Sequence, residues 1–422
     1  MNIFTVLILG FIILEFLIEW SLSILNLNQI LKQRHKIPPL FQATVDDETH
    51  QQSTDYNLRK GQFALFSGLF NRLLLVILLV TGIPGLFLNF METWIESAYL
   101  SGFLFLILGS GFMSLIQFPF SLYSQFVIEE EYGFNTTTFK TLILDSIKAF
   151  PLSLILTALL YGALHGSLLL FGSSWWIIAW ASITVLQFLL IMIYPVLIAP
   201  LFNKFTPLPE GDLKNHLSSL AKQCGFAHQG IFVMDGSRRS RHSNAYFTGF
   251  GKARRIVLFD NLIESMDPES ITAVLAHEIG HWKKNHVKKR MFLSILSTFV
   301  IAAMAGWLLT MPSVFTGFGF NHPSLPALLI ILGYYFSPIS NMLSPIGYRL
   351  SRKHEYEADA YAVKNAGADG MKSALLNLGK HNLSNLSPHP AYAAWHASHP
   401  VLIERIEAIE RLEKTLSSME GE

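Results

Sequence analysis

Charge is scarce in this sequence. Asp, Glu, Lys and Arg make up 14% of its 422 residues against 51% for hydrophobic types, and the mean hydropathy is positive. That balance excludes an ordinary soluble protein and places the chain in a membrane. The charges nearly cancel, leaving a formal net charge of +1, so no basic surface is expected for nucleic acid. Cysteine occurs once, as Cys224. One thiol closes no internal disulfide and fits no metal-ligand spacing, so it is expected to be an ordinary packed side chain. Internal repeats and low-complexity tracts are also missing.

The uncharged stretches set the number of spans. Residues 3–14 form an apolar run that continues, past Glu15 and Glu19, to about Leu25. No basic segment precedes it and no small-residue cleavage site follows, so it reads as a first span, not a cleaved signal peptide. Carboxylates at that depth must face protein or water; Glu15 and Glu19 mark either a cavity wall or an interfacial helix end. A polar segment from Lys32 to Lys60 follows, then expected spans over 66–90 and 99–122. Ala149 to Asn203 carries no Asp, Glu, Lys or Arg and is long enough for two spans, 149–171 and 175–197, turning at Gly172-Ser173-Ser174. Met291 to Tyr348 is equally uncharged and gives two more, 291–310 and 326–345.

Seven spans put the termini on opposite sides. Lys and Arg gather after spans one and five and in the C-terminal tail, and are absent after spans two, four and six. The positive-inside rule then puts the N-terminus outward and the polar segments in the cytoplasm. The expected division is a five-span membrane region (1–200), a cytoplasmic segment (201–290), two further spans (291–348) and a C-terminal segment (349–422).

The segment expected in the cytoplasm at 201–290 carries chemistry. Ala276-His277-Glu278-Ile279-Gly280-His281-Trp282 reads His-Glu-x-x-His. On a helix, histidines four apart share one face, so His277 and His281 can grip one zinc ion while Glu278 reaches the water it activates. The helix is predicted independently. Asp267-Pro268-Glu269 has an N-cap carboxylate, a proline at the first position and acid in the first turn, and Ile271, Val274, Leu275 and Ile279 recur at helical spacing. Catalytic zinc needs a third protein ligand and an open position. Arg352-Lys353-His354-Glu355-Tyr356-Glu357-Ala358-Asp359-Ala360 offers Glu355, Glu357 and His354, among which composition does not choose. Glu355 and Asp359 share a helical face, as a ligand carboxylate and a second carboxylate steadying a metal-bound imidazole would.

His277-Glu278-Ile279-Gly280-His281 followed by Glu355-Tyr356-Glu357-Ala358-Asp359 resembles the HExxH and ExxxD motifs of the CAAX prenyl protease type I, or a-factor-converting, family of integral-membrane zinc proteases. Arg241-His242-Ser243-Asn244-Ala245-Tyr246-Phe247 with Arg255-Ile256-Val257-Leu258-Phe259-Asp260, and Trp395-His396-Ala397-Ser398-His399-Pro400, resemble it too. A weaker match is Phe126-Val127-Ile128-Glu129-Glu130-Glu131 with Gly133-Phe134-Asn135.

The resemblance implies that Glu355 is the third zinc ligand, with one Zn2+ per chain. It implies that Asn244 binds substrate, and that a histidine of the His-x-x-His-Pro stretch, His399 with His396 in reserve, hydrogen-bonds the oxyanion. The fold implied is a predominantly α-helical multi-pass membrane protein of about seven transmembrane helices with a cytoplasmic zincin-like α+β catalytic portion. Gly230 to Asp235 and Arg255 to Phe259 are expected as its short strands, joined through Asn244 to Gly251, and a strand edge is a common holder of extended peptide. The implied substrate is a C-terminal Cys-a-a-X peptide bearing a prenyl group, cut by Glu278 acting as general base and acid, in a bacterial inner membrane or the endoplasmic reticulum. An HtpX-like quality-control protease acting on misfolded or membrane-associated chains is the alternative, although that family is shorter with fewer spans. A zinc-binding transporter or chaperone would be expected to have lost a ligand or Glu278, and all are present.

Overall fold

In the computed structural model, which describes residues 2–249 and 254–420, the membrane part is built from helices that cross in turn. They are α1 (Ile3–Gln33), α2 (Asp47–Thr81), α3 (Ile83–Trp94), α4 (Ala98–Tyr123), α5 (Phe139–Phe171) and α6 (Trp175–Ile193). Helical backbone is nearly continuous from Phe139 to Phe202. A straight rod between Lys148 and Leu201 would be about 80 Å long, yet Lys148 Nζ donates to the Leu201 carbonyl at 2.8 Å. The two helices therefore form a hairpin, turning where Gly172 takes φ +51, a conformation glycine adopts without strain.

The expected second span, 66–90, is not one helix. Gly82, at φ +65, ends α2 and starts α3, and α2 begins at Asp47, inside the segment expected to be polar connection. Apolar residues run through both halves, so hydropathy alone hides the break. The glycine also admits a close crossing: a Cβ on neighbouring Gly85 would fall 1.9 Å from the Gly319 carbonyl oxygen.

The sixth span is α9 (His286–Leu309), which follows the two longer helices of the polar segment, α7 (Asp212–Gln223) and α8 (Pro268–Lys283). The seventh departs from the expected 326–345: α10 (Leu325–Ile330) passes through a wide turn, Ile331–Tyr335, into α11 (Ser337–Ala366), the whole bent by 52°. Helix α11 does not stop at the membrane. It carries Glu355 and Asp359 and ends at Gly367, φ +88.

Among the described residues the two larger of three apolar cores lie in the membrane part and in the polar segments. One joins Ile8, Ile12, Leu79, Phe105, Tyr161 and Phe315 where the spans converge. The other lies in the polar segments and unites Leu217, Leu258, Ile271, Leu275, Ile279 and Ile409, with Cys224 buried in it. Some side chains turned into the bundle are polar. Gln117 donates to Asn71, and Glu15, 1% exposed, pairs with Arg72 and accepts from Asn341 at 3.0 Å. Of the two readings of Glu15, burial excludes the interfacial helix end, since α1 runs on to Gln33.

The catalytic portion adds a four-stranded sheet in the order β1 (Phe205–Pro207), β2 (Gly230–Met234), β4 (Arg255–Phe259), β3 (Ala245–Thr248). The expected strands β2 and β4 are parallel, Ile231 opposite Ile256. The unexpected β3 pairs antiparallel to β4, with Tyr246 opposite Val257, and forms an edge packed against α8. Gly251, to which the connection was expected to run, lies outside the described residues. The last helices are α12 (Ala368–His381), α13 (Pro390–His396) and α14 (Leu402–Glu420).

Candidate active site

Helix α8 starts as its sequence dictates. Asp267 accepts from the Ser270 N–H at 2.8 Å, with Pro268 at the first position. Its apolar face then buries Ile271, Leu275 and Ile279, which turns His277 and His281 toward α11. Gly280 lets the helices touch: a Cβ there would sit 3.1 Å from Ala358 Cα. The crossing brings the ligand atoms of His277, His281 and Glu355 within 4.8 Å of one another, all three residues buried. His277 Nε2 is 3.4 Å from Glu355 Oε2 and His281 Nε2 is 3.3 Å from Oε1. Of the three candidates for third ligand, Glu355 is the one that converges. Glu357 and His354 face the other way, toward His286.

The partners behind the imidazoles fix their tautomers. Asp359 sits 2.8 Å from His277 Nδ1. Although burial opposes ionisation, Arg405 and His277 hold its carboxyl below the usual range, so Nδ1 carries the proton and Nε2 a lone pair. His281 is held by a longer chain. His286, fully buried, has Nε2 3.0 Å from Glu357 Oε2 and Nδ1 2.9 Å from His281 Nδ1. With both ring nitrogens engaged in this buried chain, His286 donates to Glu357 through Nε2 and accepts from His281 through Nδ1.

Two lone pairs thus face each other across 3.1 Å, His277 Nε2 to His281 Nε2. Beside them sits the buried Glu355 carboxylate. A positive charge between them reconciles the two facing lone pairs with the carboxylate. The same preference appears in His277: burial opposes protonation, yet Asp359 and Glu355 raise its pKa to about 9. A divalent cation with two imidazoles and one carboxylate fits this donor set, zinc first among them.

Glu278 lies between the histidines, and burial raises its carboxyl above the usual range against the opposing pull of His277 and His281. His399 is largely exposed, and its Nδ1 is 2.8 Å from Glu355 Oε2. His396 points elsewhere, its Nε2 3.2 Å from Glu19 Oε2 in α1. Asn244 is exposed immediately before β3, its Oδ1 accepting the Ala245 N–H at 2.8 Å.

Two residues of the site escape the motif reading. Arg405 donates Nε to Asp359 Oδ2 at 2.8 Å and Nη2 to Oδ1 at 2.6 Å. Its signal was its place among Leu402, Ile406 and Ile409, a cation inside the buried stripe of a helix. His286 had no such signal, because Asn285 at φ +56 folds it back on His281. Glu357→Ala is expected to leave the fold intact and weaken metal retention by about 10–100-fold. The check is metal per chain after dialysis against a graded chelator.

Hydrolysis at a metal is what this convergence is suited to, and on a bundle with five or more apolar membrane-spanning helices it defines a membrane-embedded metalloendopeptidase, which acts on peptide or protein substrates. The chain belongs to peptidase family M48. Residues 207–413 match the model of Peptidase family M48, and residues 26–204 match the one described as CAAX prenyl protease N-terminal, five membrane helices. It is 35% identical to the CAAX prenyl protease 1 homolog of Homo sapiens, over 92% of this chain and 91% of that one. It is also 35% identical to CAAX prenyl protease 1 of Saccharomyces cerevisiae, over 95% and 94%. The crystal structure of S. mikatae Ste24p superposes with a TM-score of 0.89 at 34% identity, covering 97% of this chain and 99% of that one. These similarities favour the CAAX protease reading over the HtpX-like and non-catalytic alternatives.

Proposed function

We propose that this chain is a one-zinc CAAX-type endopeptidase that removes the C-terminal residues of prenylated Cys-a-a-X peptides, cutting after the modified cysteine. The observation that carries the reading is the convergence of His277, His281 and Glu355, supported by relatives named as CAAX prenyl proteases along nearly the whole chain. Zinc, held by these three residues, would supply Lewis-acid polarisation and a lowered pKa for water. Glu278 accepts the proton of the attacking water and passes it to the leaving amine. Asp359 and the His286–Glu357 pair keep both Nδ1 atoms protonated, so that both Nε2 atoms stay available as ligands. His399, beside Glu355, donates to the oxyanion that develops on the scissile carbonyl. The substrate backbone pairs as an added strand with the β3 edge, and Asn244 holds it at the start of that strand.

The division into 1–200, 201–290, 291–348 and 349–422 is retained as the proposed domain organisation. Basic residues after spans one and five, and in the C-terminal tail, support a cytoplasmic position for the catalytic segments. The membrane would be the endoplasmic reticulum or, in a bacterium, the inner membrane.

The test is cleavage of matched farnesylated and unmodified Cys-a-a-X peptides by detergent-purified protein, with zinc measured on the same sample. Cleavage confined to the farnesylated peptide is expected. Equal cleavage of both would replace the CAAX reading with that of a broad membrane protease.

A further inference from the structure

The first span touches the catalytic loop. Glu19 of α1 accepts from the Trp395 indole N–H, Nε1 to Oε1, at 2.9 Å, while its Oε2 lies 3.2 Å from His396 Nε2. Two turns further along α1, Asn26 Oδ1 accepts the His389 N–H at 3.1 Å. Helix α13 is therefore docked on α1 at both of its ends. Residues 19 and 26, seven apart, lie on one helical face.

That docking controls where His399 can be. Only Ala397 and Ser398 separate it from His396, which limits its reach from the anchor to about 10 Å. The next fixed point is the Ala397 carbonyl, which accepts from Arg352 Nη1 at 2.6 Å, one turn before Glu355 on α11. His399 then reaches Glu355 Oε2 at 2.8 Å while remaining mostly exposed. Its own surroundings do little to hold it; the anchors before it do.

A carboxylate at this depth is costly unless it has a task. Arg72, the nearest cation on α2, is already paired with the buried Glu15, so Glu19 is not needed to neutralise it. It lines a cavity of about 470 Å³, of mixed polar and apolar lining, together with Glu15, Asn71, Asn341, Tyr392 and His396.

We propose that Glu19 is a positioning residue for the hydrolytic centre: by holding Trp395 and His396 it sets the loop that presents His399. The inference rests on the role given to His399 above. The hydrogen bond to Trp395 is the essential contact, and the carboxylate beside His396 orients the end of α13.

The test uses full-length wild type, Glu19→Ala, Trp395→Phe, His399→Ala and the Glu19→Ala/His399→Ala double variant. Each is assayed on the matched peptides, with zinc content and thermal unfolding measured in parallel. Glu19→Ala is expected to keep zinc and its unfolding temperature, to hold KM within about twofold, and to lose kcat by about 10–100-fold, as a displaced catalytic group does. Trp395→Phe, which deletes only the N–H, should follow it, and carries the test should Glu19→Ala fail to accumulate. The double variant should be no slower than His399→Ala alone. Wild-type kcat in both Glu19→Ala and Trp395→Phe, or losses that multiply in the double variant, would overturn the inference. If His399→Ala is impaired while neither Glu19→Ala nor Trp395→Phe is, the inference alone fails. Wild-type kcat in His399→Ala would overturn the assignment of His399 and this inference with it.

Discussion

Glu278→Gln protein is expected to bind zinc as wild type does and to lose peptidase activity by about 10²–10⁴-fold, the range for removing a positioned acid-base group. The amide keeps the shape of the side chain but accepts no proton at neutral pH. None of the three converging ligands is altered, because Glu278 is not among them. Its raised pKa has burial as the main cause, so a neutral amide is tolerated there and the fold should be unaffected. The measurement is kcat/KM on the cleaved peptide together with zinc per chain. An active, zinc-loaded Glu278→Gln enzyme would remove Glu278 from the mechanism, whereas loss of zinc would make it a structural element of the site.

Arg405→Ala is expected to cost about 3–5 kcal/mol of stability, the effect of removing one partner from a buried ion pair. Arg405 is 7% exposed and Asp359 2%, and the guanidinium makes two hydrogen bonds to that carboxylate. Without it Asp359 is left as an uncompensated buried charge, and a proton moves onto it. A protonated Asp359 no longer demands the His277 Nδ1 proton, and the imidazole loses the constraint that aims its Nε2 at the metal. Denaturant unfolding and zinc titration should therefore fall together. Arg405→Lys, which keeps the charge but not the fork, should recover only part of either. Unchanged stability in Arg405→Ala would show that water reaches Asp359.

What was legible in the sequence was local. Asp267-Pro268 announced α8, the spacing of His277 and His281 announced a shared face, and charge-free stretches announced the spans, including the hairpin at Gly172. The choice of Glu355 was not local, since three donors stood within four residues of one another. It required the family resemblance, and the structure gives the reason: only Glu355 lies on the side of α11 that crosses α8 at Gly280. Breaks inside apolar segments were illegible. Gly82 and the wide turn before Ser337 interrupt helices without interrupting hydropathy, so the second and seventh spans were drawn too regular. Partners brought together by tertiary folding were hidden as well. Nothing near Glu15 in the sequence names Arg72, and nothing near His281 reveals that a left-handed Asn285 turns His286 back onto it. The pairing of β2 with β4 is likewise a long-range event, and β3 has no alternation strong enough to stand out.

The route of α11 sets an order of assembly. His277 and His281 leave the ribosome before the sixth and seventh spans exist, whereas Glu355 and Asp359 emerge on the far end of the seventh and Arg405 later still. On the proposed ligand assignment, the chain during synthesis would carry two metal-binding histidines without the carboxylate that completes the set. It would be unable to hydrolyse anything until the remaining helices had been inserted and α11 had come to lie against α8. Proteolytic competence is thereby tied to finished insertion: a chain stalled halfway, or inserted upside down at its last hairpin, is an inert one.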